Sequence, residues 1–142
     1  MWAQEKKHLA VMNKLQVQHQ VRPTALWEVA KVAGFGLGAV TALMGKEAAM
    51  ACTEAVETEI GEHYNRQVKT LLEWAEEVEK NGGEVSKEMK ELLVTLRRIR
   101  DEELEHLDHA VEHDAKEAKP YELLTGVIRT GCKAAIWISE RV

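Results

Sequence analysis

A chain of 142 residues and 16.0 kDa, 45% hydrophobic and 30% charged, has the size and balance of one globular domain. Its net charge of −5 leaves no basic surplus for nucleic acid. Cys52 and Cys132 lie far apart outside any CxxC pattern and read as reduced core residues, and the first residues carry neither a secretory nor an Arg-rich transit pattern.

Residues Trp2 to about His19 read as a helix, with Leu9, Met12 and Leu15 at three- and four-residue steps. "VRPT" breaks it, and Pro23 with Thr24 can start the next helix. Val32–Gly45 is uncharged and largely apolar, but too short for a bilayer, which takes about 20 residues. Gly34, Gly36 and Gly38 weaken it as an ordinary helix. A long helix is expected from about Lys46 to Val78, then a turn at "NGGE". Ser86 can cap a further helix, with Met89 at its third position, running to about Glu117. Pro120 opens a last helix to Val142. No stretch alternates like a strand, so the pattern predicts an all-α protein of antiparallel neighbours joined by short loops.

The penultimate helix carries an informative stripe. Steps of four and three pick out Leu92, Leu96, Ile99, Glu103, His106, Ala110 and His113. The aliphatic start turns this stripe toward the core, and it then carries a carboxylate and an imidazole three residues apart. Burying both without partners would cost several kcal/mol, a cost that a bound metal ion removes. Glu102, Glu105 and Asp108 fall off the stripe and are assigned to the solvated face with His109, while His113 sits one turn beyond, at the mouth. A single E-x-x-H is a weak signal, but the first helix repeats it. Glu5, His8, Met12 and Leu15 form one stripe there. Two such pairs on two helices, with lone glutamates on others, are the ligand pattern of ferritin-like di-iron and di-manganese bundles. The long helix offers Glu54, Glu57, Glu59 and Glu62. Glu57 lies between Thr53, Ile60 and Tyr64 and is the choice, with Glu54 as runner-up, while Glu59 and Glu62 point away. His63 shares the apolar side and reads either as a donor behind the ligands or as an ordinary core histidine. The set is then Glu5, His8, Glu57, Glu103 and His106. Val32–Gly45 holds no acid, and Glu122 and Glu140 are poorly placed, so the remaining carboxylate is expected upstream of Met1.

With "MWAQEKKHL", "RPTALWEVAKVAGFGLGAVTALMGKEAAMACTEAVE", "EHYNRQ", "RDEELEH" and "GCKAAIWISERV", the chain resembles the 5-demethoxyubiquinone hydroxylases, di-iron monooxygenases of ubiquinone biosynthesis. The resemblance spans nearly all of the sequence. It implies one ferritin-like domain over residues 1–142, with two extra apolar helices and without the family's first helix, which carries a lone ligand glutamate. Carried over by position, the iron ligands are Glu5, His8, Glu57, Glu103 and His106. One bridging or terminal carboxylate is then lost, which would impair this chain.

The implied activity is O₂-dependent hydroxylation of 5-demethoxyubiquinol to 5-demethylubiquinol (3-demethylubiquinol) by two iron ions, with NADH as electron source. His63 and Tyr64 are expected as relay or supporting residues, and Trp137 as a cofactor contact. "GFGLGAV" lacks the spacing and strand of a dinucleotide fold, so no separate nucleotide domain is expected. The family is peripheral on the matrix side of the mitochondrial inner membrane, or on the cytoplasmic side of a bacterial membrane, and meets a lipid-carrying partner protein in eukaryotes. Val32–Gly45 and the last helix, with Leu124, Val127, Ile128, Ile136, Trp137 and Ile138, are the expected lipid-facing parts. The alternatives are a non-catalytic membrane- or partner-binding helical module and a ferritin-like iron-binding bundle.

Overall fold

The computed structural model describes residues 1–142 as five α-helices and one 3₁₀ turn, with no strand. The helices are α1 (Trp2–Gln18), α2 (Trp27–Met44), α3 (Lys46–Lys80), α4 (Lys87–Glu112) and α5 (Tyr121–Ser139), and the 3₁₀ turn is Ala115–Glu117. This is the all-α bundle expected from the periodicity.

The 35-residue α3 is the central element, and α4, α5, α2 and the 3₁₀ turn all pack on it. Small side chains let them approach. Ala51 meets Ala115 and Ala118, while Cys52 and Ala55 meet Ile128, Leu37 and Leu124. Gly45 joins α2 to α3 at φ 125°, a conformation that side chains with a Cβ rarely adopt. Ser86 caps α4 as expected, accepting from the Met89 N–H at 3.3 Å.

Several helix boundaries differ from expectation, among them the end of α5, at Ser139 rather than Val142, and the start of α2, at Trp27 rather than Pro23–Thr24. α4 stops at Glu112 rather than Glu117, because Asp114 turns left-handed at φ 72° and the chain re-enters as the 3₁₀ turn. Ala115 and Ala118 are still buried there, so the apolar pattern continues past the helix that would have carried it. α2 is also longer than Val32–Gly45. It starts at Trp27 and passes through all three glycines unbroken, which makes it 18 residues long. By length and composition it could cross a membrane, and only 6% of it is buried. Val32, Phe35 and Leu43 are 75%, 82% and 88% exposed.

The stripe on α4 is inward along its length. Leu96, Ile99, Glu103, His106 and Ala110 are buried, and Leu92 and His113 half-buried. On α1 the inward side is His8 with the half-buried Val11, Met12 and Leu15, while Leu9 faces out. Ile99 has no exposed surface and stands one turn before Glu103. Ile99→Ala should lower unfolding stability by about 2–5 kcal/mol through loss of buried hydrocarbon and a residual cavity, as read from urea denaturation of the chain.

Candidate metal centre

Glu5, His8, Glu57, Glu103 and His106 come together where α1, α3 and α4 meet. Ligand atoms of Glu5, Glu57, Glu103 and His106 all lie within 4.8 Å of one another. His8 joins them, with Nδ1 3.1 Å from Glu103 Oε1 and 3.6 Å from Glu5 Oε1. His106 Nδ1 is 3.0 Å from Glu5 Oε1 and 3.3 Å from Glu103 Oε2. His8, Glu103 and His106 are buried, Glu57 is half-buried and Glu5 forms the open side.

The two imidazoles are oriented in the same way. His8 Nε2–H donates to Glu102 Oε2 at 2.5 Å, and His106 Nε2–H donates to Gln4 Oε1 at 3.0 Å. These bonds fix the tautomers and leave each Nδ1 with a lone pair. Those lone pairs face carboxylate oxygens, which are also acceptors. Glu103 Oε1 is close to His8 Nδ1, yet that buried nitrogen has no hydrogen-bond partner. Lone pairs facing lone pairs inside a protein call for a proton or a cation between them. Three carboxylates and two Nδ1 nitrogens, with each Nε2–H held by an outer acceptor, fit divalent iron or manganese.

Glu102 corrects the expectation from the stripe, which placed it on the solvated face. It is half-buried, accepts from His8 and is braced on its other oxygen by Arg98 Nη1 at 3.0 Å. The His8 hydrogen bond, with that of Arg98, holds its carboxyl below the usual range. Gln4 was likewise not singled out. Both could have been sought by asking which acceptor would hold the second nitrogen of each ligand histidine. Glu105, Asp108 and His109 are exposed as expected.

α3 buries Glu54 and Glu59 and half-buries Glu57, and only Glu57 faces the cluster. Glu54, the runner-up, pairs instead with Lys116 and accepts from the Tyr121 hydroxyl at 2.9 and 3.0 Å. Glu59 was expected to point away from the interior but is 1% exposed. It faces the other side of α3, where Arg129 Nε donates to it at 2.6 Å and Lys133 lies 3.5 Å away. Glu62 is exposed as expected.

Burial, with the Glu103 charge and hydrogen bond behind it, pushes the Glu57 carboxyl up to about 9. Burial and the Glu103 charge also raise Glu5. Tyr64 lies in the same field, its phenol pushed up to about 12 by burial and by the charges of Glu103, Glu5 and Glu57. His63 is not drawn into the cluster. Its Nε2 contacts Gln67 at 3.0 Å, its Nδ1 lies 3.9 Å from Glu140, and its ring centre is 6.4 Å from that of Tyr64. Burial lowers its pKa. Trp137 also stands outside the cluster. It is 58% exposed, with the Arg141 guanidinium 4.0 Å over its ring.

The family described as ubiquinone biosynthesis protein COQ7 matches residues 1–139. The chain is 52% identical over 141 residues to a Rattus norvegicus protein named "NADPH-dependent 3-demethoxyubiquinone 3-hydroxylase, mitochondrial", covering 99% of this chain and 60% of the relative. To the Saccharomyces cerevisiae "5-demethoxyubiquinone hydroxylase, mitochondrial" it is 47% identical over 143 residues, 99% of this chain and 61% of the relative. To the Rhodospirillum rubrum "3-demethoxyubiquinol 3-hydroxylase" it is 44% identical over 142 residues, 100% of this chain and 60% of the relative. The chain therefore spans about 60% of the length of these relatives. The rat protein's name carries NADPH, not the NADH expected from the resemblance.

The raised Glu57 pKa has a consequence for metal-free protein. A carboxyl held protonated in the folded state stabilises it fully below its ordinary value of 4.5, and the effect is lost as pH rises through about 9. The thermal midpoint of the metal-free chain should therefore fall between about pH 5 and pH 9. Glu57→Gln should flatten that slope and raise the midpoint at the alkaline end, as measured by circular dichroism melts across pH.

Proposed function

The chain belongs to the ubiquinone biosynthesis protein COQ7 family, and we propose that residues 1–142 form the di-iron domain of an O₂-dependent monooxygenase that hydroxylates the ring of a demethoxyubiquinol. The observation that carries this is the pair of buried imidazoles. Each commits Nε2–H to an outer acceptor and turns Nδ1 toward shared carboxylates. In this assignment Glu5, His8, Glu57, Glu103 and His106 hold two iron ions. When bound, the irons supply the O₂ chemistry that no side chain here can perform.

The chain's own groups do the rest. Glu102 and Gln4 hold the imidazoles in one tautomer and one orientation. Glu57 holds a proton when no cation is present. The Tyr64 phenol keeps its proton well above neutral pH, and the His63 ring, 6.4 Å from that of Tyr64 between centres, contacts Gln67 and lies 3.9 Å from Glu140. The pair is suited to relay a proton. The electron source is a reduced nicotinamide, NADPH as in the rat relative's name or NADH. Trp137, under Arg141, is a candidate contact for it.

The exposed apolar side of α2, with Leu123, Val127 and Trp137 of α5, suits a lipid surface or a lipid-carrying partner that delivers the quinol. The names of the rat and yeast relatives support a mitochondrial location, and we propose a peripheral position on the matrix side of the inner membrane, or on the cytoplasmic side of a bacterial membrane.

Anaerobic reconstitution with Fe²⁺ should load about two irons per chain, and a short-chain demethoxyquinol with NADPH or NADH should then gain one hydroxyl. Glu103→Gln should abolish both. Glu102→Gln should keep the fold but weaken iron binding by about 10–100-fold. A chain that takes up no iron would favour the non-catalytic module, and iron oxidation without ring hydroxylation would favour an iron-binding bundle. The lipid assignment has its own check by sedimentation. Phe35→Glu with Leu43→Glu should sharply lower co-sedimentation with phospholipid vesicles while leaving iron content unchanged.

A further inference from the structure

A second group of metal-ligating side chains lies outside the buried cluster, at the C-terminal end of α4. His109, Glu112 and His113 follow the spacing i, i+3, i+4 and share one side of the helix. One ligand atom from each lies within 4.8 Å of the others. The two imidazole rings are 3.9 Å apart between centres. We propose that His109, Glu112 and His113 form a second, exposed metal site for a divalent cation of the borderline class, with Zn²⁺ as the probe that defines it.

Three observations point to an ion rather than to chance proximity. First, His113 Nδ1–H donates to the His109 carbonyl at 2.8 Å. That bond holds the ring and leaves Nε2 with the free lone pair, as an outer acceptor does for a metal-bound histidine. Second, the donors are two imidazoles and one carboxylate, a set that takes first-row divalent ions and leaves open positions for water. Third, the site occupies the last turn of a 26-residue helix, where the negative end of the helix dipole favours a cation. Tetrahedral Zn²⁺ sets its donors about 3.4 Å apart, so a small rotation of the exposed Glu112 side chain would close the set.

The site is separate from the buried cluster. None of the three side chains touches Glu5, Glu57 or Glu103 in the contacts that define the centre. His109 also lines a cleft of about 320 Å³ whose walls include His106 and Gln4. An ion held there would sit at the rim of a cleft that reaches a residue of the buried cluster.

Zn²⁺ titration of the iron-loaded chain by calorimetry tests the proposal. One Zn²⁺ per chain should bind, and His109→Ala and His113→Ala should each weaken that event at least about tenfold. Glu112→Gln should weaken it less. All three variants should keep the iron content and helical circular dichroism of the parent, because their side chains are exposed or half-buried. Substituting Cu²⁺ gives a second readout. Its paramagnetic resonance spectrum should carry coupling from two imidazole nitrogens, reduced to one in either histidine variant. Zn²⁺ binding that survives in both histidine variants would overturn the proposal. So would Zn²⁺ binding in the parent that appears only as displaced iron.

Discussion

Buried lone pairs set the terms for this fold. Two imidazole nitrogens and three carboxylates are gathered where α1, α3 and α4 meet, and the groups that face each other are all acceptors. A hydrophobic core tolerates any apolar filler of the right volume, but facing acceptors tolerate only a proton or a cation. The burden on α1 is greatest. His8 is its one buried residue, and its outer apolar positions, Leu9 and Val17, are 46% and 79% exposed. α1 is thus held to α4 largely through His8 with Glu102 and Glu103, Gln4 with His106, and Gln18 with Glu88. Docking of α1 and assembly of the site are one event, and a cation bound there would stabilise the fold directly.

α3 handles three inward glutamates, two buried and one half-buried, in two ways. Glu54 and Glu59 are neutralised by basic residues from the 3₁₀ turn and α5, namely Lys116, Arg129 and Lys133. These pairs tie the following segments to α3 by polar contacts and leave much of the apolar surface of α5 outside. Glu57 has no basic partner among its ion pairs. Burial first, and then two neighbouring carboxylates, Glu103 and Glu5, raise its pKa and hold its proton. Acids on one helix, separated by two or three residues, therefore carry opposite electrostatic roles because different elements face them.

The sequence was most legible where an element is buried on one side only. α4 packs on α3 along a single face, so a period of 3.6 assigned Leu96, Ile99, Glu103, His106 and Ala110 correctly to the interior. The same reasoning misplaced Glu59 because α3 is covered on more than one side, and a residue 200° from Glu57 is then inside as well. Glu102 was misplaced for another reason. Its burial comes from a partner on a different helix, and no pattern within α4 reports that. The length of α2 was obscured because its glycines carry a propensity cost of only about 1 kcal/mol each, which an uninterrupted apolar helix can absorb. His63 is read from its place on the apolar side of α3 as well as from resemblance, and Trp137 from resemblance alone, and neither side chain enters the cluster.

The helical wheel of α3 also separates the charged site from the apolar layer. Cys52 and Ala55, which receive α2 and α5, lie about 140° and 160° around the helix from Glu57. An apolar layer could not share a face with three carboxylates, because each charge would have to leave water for hydrocarbon without a partner. Putting α3 between them lets one side present Phe35, Leu43 and Val127 to the outside while the other gathers acids and imidazoles. Glu59, about 200° around the helix from Glu57, is the acid on the apolar side, and it carries Arg129 and Lys133 as partners. On that side of α3 the buried carboxylate is therefore kept together with cations of the chain, and the exposed apolar surface around it carries no unpaired buried charge from α3.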